Sequence, residues 1–81
     1  VPTITVRFFA AAREAFGARE SQMNAETVDE LVTTLAEAAG TQAATVLSRS
    51  SFLVNSVAAT DKSVHLADGD TVDVLPPFAG G

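Results

Sequence analysis

Residues 27–40 read TVDELVTTLAEAAG, and this stretch decides the architecture. Thr27 and Glu30 form a capping box: the Thr27 hydroxyl accepts from the Glu30 amide, while the Glu30 side chain reaches back to the Thr27 amide. Asp29 and Glu30 sit where the helix dipole is positive. Val28, Leu31, Val32, Leu35, Ala36 and Ala39 follow at helical spacing and make one apolar face. Gly40 then stops the helix. A helix with one apolar face needs a second layer to cover it, and the flanking segments supply strands.

On the N-terminal side, residues 3–9 (TITVRFF) alternate and are rich in β-branched and aromatic residues. They predict a strand with Ile4, Val6 and Phe8 inward and Thr5, Arg7 and Phe9 on the other face. Residues 10–16 suit a short helix stopped by Gly17, and residues 19–24 a second strand, antiparallel to the first. On the C-terminal side, residues 52–55 predict a strand with Phe52 and Val54 inward, and residues 56–60 a short extended piece before a turn at Asp61-Lys62. Asp68-Gly69-Asp70 marks another turn. Residues 71–75 form the last strand, with Val72 and Val74 inward and Asp73 and Leu75 outward; Pro76 ends its pairing. Residues 41–51 stay open: Ala43 to Leu47 suits a short helical turn, and Ser48 to Ser51 reads as a loop. The sum is an α+β domain, a small mixed sheet with one main helix packed across it, over residues 1–75, followed by an extended arm over 76–81. If the first and last strands are neighbours, Arg7 and Asp73 form a surface pair of small worth.

The chain has 81 residues, of which 47% are hydrophobic, enough for one small core. It has no cysteine, which excludes disulfides, thiolate metal sites and a cysteine nucleophile. A formal net charge of −5 argues against nucleic acid and favours a partner with a basic surface. No apolar run approaches the length of a membrane span, and no basic leader precedes an apolar stretch, so the expected compartment is the cytoplasm.

The residues with chemical promise lie at the end, Phe78-Ala79-Gly80-Gly81 after Pro76-Pro77. A terminal glycine carboxylate has no side chain beside it, and Gly80 adds backbone freedom. Such a tail threads a narrow channel and presents its carboxylate to another enzyme; a frayed terminus is the competing reading. The six residues from Pro76 to Gly81 span roughly 20 Å when extended. The prolines hold φ near −65° and reduce the ordering entropy lost on binding. Phe78 is a candidate anchor, and Phe9, Leu75 and Val57 are candidates for a partner surface. Elsewhere the pattern is bland. His65 has no ligand or carboxylate pair at useful spacing, and Ser50-Ser51 have no evident base. Asp68 and Asp70 are too few for a calcium loop.

Several segments together resemble the small subunit of molybdopterin synthase, the MoaD type of ubiquitin-like sulfur carrier. The carrying residues are Val6-Arg7-Phe8-Phe9-Ala10 with Arg13-Glu14 and Gly17, then Val54-Asn55, then Leu66-Ala67-Asp68-Gly69-Asp70 through Val72, then Leu75-Pro76-Pro77-Phe78-Ala79-Gly80-Gly81. The resemblance implies a β-grasp fold and a carrier's task. The Gly81 carboxylate is adenylated by an activating enzyme that uses ATP, converted to a thiocarboxylate with sulfur from a donor protein, and inserted into the large catalytic subunit. There the sulfur passes to cyclic pyranopterin monophosphate in molybdenum cofactor biosynthesis. By position, Gly81 bears the sulfur, Gly80 is its permissive neighbour, and Pro76, Pro77, Phe78 and Ala79 form the inserted arm. The implied chain is a non-catalytic subunit of a hetero-oligomer, with no permanently bound cofactor, no metal and no membrane partner. Leu75 stands where an aromatic residue is frequent and Phe78 where Val or Ile is expected, which alters the large subunit that fits best. The same fold and tail suit a carrier for the thiazole pathway or another acceptor, a protein modifier joined to lysines through Gly81, and an interaction domain with an inert tail.

Overall fold

The structure is a computed structural model and describes residues 1–77. The chain runs β1 (Thr3–Phe8), α1 (Ala11–Phe16), β2 (Glu20–Asn24), α2 (Val28–Ala39), α3 (Thr41–Arg49), β3 (Ser51–Val54), β4 (Val57–Ala58) and β5 (Thr71–Leu75). The five strands form one sheet in the order β2-β1-β5-β3-β4. The first and last strands are parallel neighbours at its centre, with Arg7 opposite Asp73 and Phe8 opposite Val74. β2 pairs antiparallel with β1, and β3 with both β5 and β4. With α2 packed across the mixed sheet, this is the β-grasp arrangement that the resemblance implies.

Alternation in β1 and β5 produces the core. Ile4, Val6, Phe8, Val72 and Val74 are buried on one face and meet Val28, Leu31 and Leu35 of α2. Full burial of each large apolar side chain contributes about 1.5–3 kcal/mol. Phe16 of α1 stacks on Phe8 with ring centroids 4.5 Å apart, which seats the short helix on the end of β1. Gly17 caps α1 at φ 66°, a left-handed conformation that suits glycine.

Three expectations need correction. The reciprocal half of the capping box goes one residue earlier. Thr27 accepts as a cap should, the Glu30 amide donating to Thr27 Oγ1 at 3.1 Å, but Glu30 Oε1 takes the amide of Glu26 at 3.3 Å. Thr27 instead forms an antiparallel bridge with His65. The segment after Gly40 is a nine-residue helix rather than a helical turn and a loop. Ala43 and Leu47 are buried, and the hydroxyls that suggest a loop fold back on the helix: Thr45 donates to Thr41 O, Ser48 to Thr45 O, and Ser50 to Val46 O. Finally, Arg7 and Asp73 are more than a loose surface pair. Asp73 is on the outer face as expected, yet only 5% exposed.

Candidate functional site

The helices cover one face of the sheet, and the outer face carries three half-buried apolar residues of interest: Phe9, Leu53 and Leu75. Phe9 and Leu75 follow from strand periodicity. Each is out of phase with the core set of its strand, so each points away from the helices. β5 ends at Leu75, and with Phe9, Ala10 and Pro76 it lines an apolar cleft of about 390 Å³. The expected partner residues Phe9, Leu75 and Pro76 are therefore brought together. Pro77 lies on the other side of Pro76, in a smaller cleft of about 150 Å³ shared with Ala11, Val46, Arg49 and Pro76. Val57 is not part of this cluster; it is 68% exposed on β4, at the sheet edge. The calls on Phe78, Ala79, Gly80 and Gly81 lie outside the described residues.

An ion pair braces the cleft from below. Arg7 Nε donates to Asp73 Oδ1 at 2.7 Å and Nη2 to Oδ2 at 2.9 Å, a two-point fork that fixes the guanidinium plane. The same guanidinium sits 5.5 Å from the centre of the Phe9 ring, within cation–π range. The Asp73 carboxylate holds the Arg7 pKa above its ordinary value, chiefly through this hydrogen bond and then through charge. The strand pairing thus orders Asp73, Arg7 and Phe9 in one contact series leading to the cleft.

Two functional features escape sequence reasoning. Ala10 lines the cleft with φ 50° and ψ −125°, a conformation rare for a residue with a Cβ. It lets the chain leave β1 and enter α1 in a single step. Nothing in an alanine signals this. Arg49, the only basic residue of the last turn of α3, stands beside both arm prolines. A basic residue near a helix C-terminus is ordinary, so its position at the arm root is visible only in three dimensions.

The remaining candidates have structural partners. Asp68 Oδ1 accepts from the amide of Thr3 at 2.8 Å. Asp70 accepts from the amide of Ala67 at 2.8 Å and from Asn55 Nδ2 at 2.9 Å. These bonds tie the 67–70 turn to its neighbours. Ser50 bonds within α3, and His65 is exposed in its bridge to Thr27. Among the described residues no group of three or more His, Cys, Asp or Glu is placed to hold a metal ion. Among the same residues no helix is long and apolar enough to cross a membrane.

The ThiS family model matches residues 6–81. No curated protein matches the chain. Among solved structures, the HVO 2177 protein of Haloferax volcanii is 30% identical, with 99% of this chain and 87% of that chain covered and a TM-score of 0.81. A chain from the complex of subunits 1 and 2 of the molybdopterin-converting factor of Helicobacter pylori is 25% identical, with 98% and 99% covered and a TM-score of 0.75. Small archaeal modifier protein 1 of Methanosarcina acetivorans shares the fold, at 22% identity, 99% and 97% coverage and a TM-score of 0.85.

Proposed function

Because the chain belongs to the ThiS family and is a ubiquitin-like sulfur carrier, we propose that it is the sulfur-donating small subunit of a molybdopterin synthase. The observation that carries this reading is the position of the arm root. The central strand β5 delivers Pro76 to the rim of an exposed apolar cleft formed with Phe9, Ala10 and Leu75, and Pro77 to the smaller cleft beside it. A partner that grips this cleft receives whatever follows Pro77 at a defined place and direction. The neighbour from Helicobacter pylori, a subunit of a two-subunit converting factor, supports the choice of pathway.

The chemistry requires little of the domain itself. A carboxylate is a poor acyl donor because its oxygen is a bad leaving group. In the proposed first step the Gly81 carboxylate oxygen attacks the α-phosphorus of ATP and pyrophosphate leaves, giving an acyl-adenylate. The terminal sulfur of a donor protein's persulfide then attacks the acyl carbon and AMP leaves; a thiol next attacks the donor's sulfur in the resulting acyl disulfide, which releases the thiocarboxylate and leaves the thiol and donor joined as a disulfide, so one hard step becomes several easier ones. The product thiocarboxylate enters the large subunit with Pro76, Pro77, Phe78, Ala79 and Gly80 as the threaded arm. Glycine at the last two positions leaves these attacks uncrowded. The acids and bases of the sulfur transfer belong to the large subunit, and ATP is consumed by the activating enzyme.

Intact mass of the chain from its native cells tests the proposal. Replacement of one terminal oxygen by sulfur is the expected species, together with sulfur transfer to cyclic pyranopterin monophosphate in the presence of the large subunit. Transfer only to another acceptor would redirect the reading to a different pathway. A ladder of lysine conjugates lost on deletion of Gly81 would make the chain a modifier instead.

A further inference from the structure

The net charge of −5 is unevenly placed. The end of the sheet where the arm leaves holds all four arginines. Arg7 is paired with Asp73, Arg13 Nε is 3.5 Å from Phe8 O, Arg19 O accepts from the Phe8 amide, and Arg49 lines the cleft with Pro76 and Pro77. The carboxylates in that half are Glu14 on α1, Glu20 opposite Arg7, Glu37 near the end of α2, and Asp73 itself. Four cations face four anions, and the half is neutral. The far half holds Glu26, Asp29, Glu30, Asp61, Asp68 and Asp70, with Lys62 between the halves: its carbonyl accepts from the Asp29 amide and its ammonium lies over Phe52, so the excess of negative charge lies away from the arm.

Arg49 is the notable member of the neutral half. Among the described residues only Arg7 is in an ion pair, and of the other three arginines Arg49 is the one that stands beside the arm prolines. It borders the same proline that closes the apolar cleft, so Pro76 is a ridge with an apolar hollow on one side and a guanidinium on the other. Arginine presents five donors in a rigid fork suited to carboxylate.

On the reading of the arm as the part that is charged, we propose that Arg49 receives a carboxylate of the enzyme that charges it. An acidic segment of that enzyme straddles Pro76, with an apolar side chain in the cleft of Phe9, Ala10 and Leu75 and its carboxylate on Arg49. The excess negative charge lies away from Pro76, so an acidic segment meets the neutral half with the least repulsion.

The test uses the full chain added to ATP-supplemented extract of native cells from which the endogenous chain has been removed. Thiocarboxylate is followed by intact mass, and thermal unfolding confirms that each variant is folded. Arg49→Lys keeps the positive charge but not the fork and is expected to charge at a rate between those of wild type and Arg49→Gln. Arg49→Gln and Arg49→Glu are expected to slow charging, the latter roughly ten-fold at low salt, with the gap narrowing as salt rises. Lys62→Glu makes the same change in net charge outside both clefts that flank Pro76, its ammonium lying over the Phe52 ring, and is expected to leave the rate unchanged. An Arg49→Glu chain that charges as fast as wild type, or a Lys62→Glu chain slowed equally, overturns the inference and leaves the carrier reading standing. A wild-type chain that never acquires sulfur overturns both.

Discussion

Arg7 and Asp73, 66 residues apart in sequence, are joined at both ends of a guanidinium–carboxylate fork across the parallel strands β1 and β5. The two partners are unequally buried: the Arg7 side chain is 48% exposed and that of Asp73 only 7%. Removing one is therefore not equivalent to removing the other. Without Arg7, the Asp73 carboxylate is left buried and unpaired, and a buried group without its partner bears its full desolvation cost. Without Asp73, the guanidinium turns to water. Arg7→Ala is expected to lower the urea midpoint more than Asp73→Ala, and the double variant to recover part of the Arg7→Ala loss. Equal losses that simply add would show that the fork contributes no coupling.

Ala10 gives a second expectation. Its φ of 50° places a Cβ in a region that costs of order 1–3 kcal/mol. Ala10→Gly removes that cost but adds unfolded-state entropy, leaving a net gain of about 1 kcal/mol, or roughly 4–8 °C in Tm for a domain of this size. Ala10→Val should lower Tm. A glycine variant with unchanged Tm would mean that the backbone here is not strained in solution.

Acid sensitivity follows from the turns. The Asp70 carboxyl is held below the usual carboxylate range by the amide of Ala67 and then by Asn55, and that of Asp61 by the hydroxyl and then the amide of Ser63. Both groups are depressed in the fold, so their contribution is complete above the unfolded value of about 3.9 and is lost as pH falls through the folded one. Urea midpoints are expected to be flat from neutrality to about pH 5 and to decline below about pH 4. Asp70→Asn should be less stable at pH 7 and show a shallower acid decline than wild type. An unchanged acid slope in the Asp70→Asn and Asp61→Asn variants would place the sensitivity elsewhere.

How much was legible depended on the range over which each feature is encoded. The α2 helix was plain because cap, dipole and apolar stripe all lie within residues 27–40. Phe9 and Leu75 were legible as surface candidates because strand alternation puts them opposite the core. The α3 helix was not. Its only large apolar residues are Val46 and Leu47, and its Ser and Thr side chains favour loops until they bond back to helical carbonyls. The burial of Asp73 was also hidden, since a carboxylate on an outer face reads as solvated until a distant arginine is known to cover it. The left-handed turn at Asn55-Ser56, with φ 49° and 71°, was half visible: Asn tolerates it, Ser does not announce it.

The carrier reading makes a last demand on the main chain alone. If Gly81 presents its own carboxylate, one further residue after it moves the acid group beyond the reach for which the arm is built and places an amide where the adenylate must form. The folded domain should be indifferent, because β5 ends at Leu75, six positions earlier. A chain extended by one alanine is thus expected to keep the wild-type Tm and to show no thiocarboxylate by intact mass and no sulfur transfer with the large subunit. Transfer by a chain whose extra alanine is still present in the mass spectrum would remove the terminal acid group from the mechanism. An extended chain that regains activity only after the alanine has been trimmed would support it.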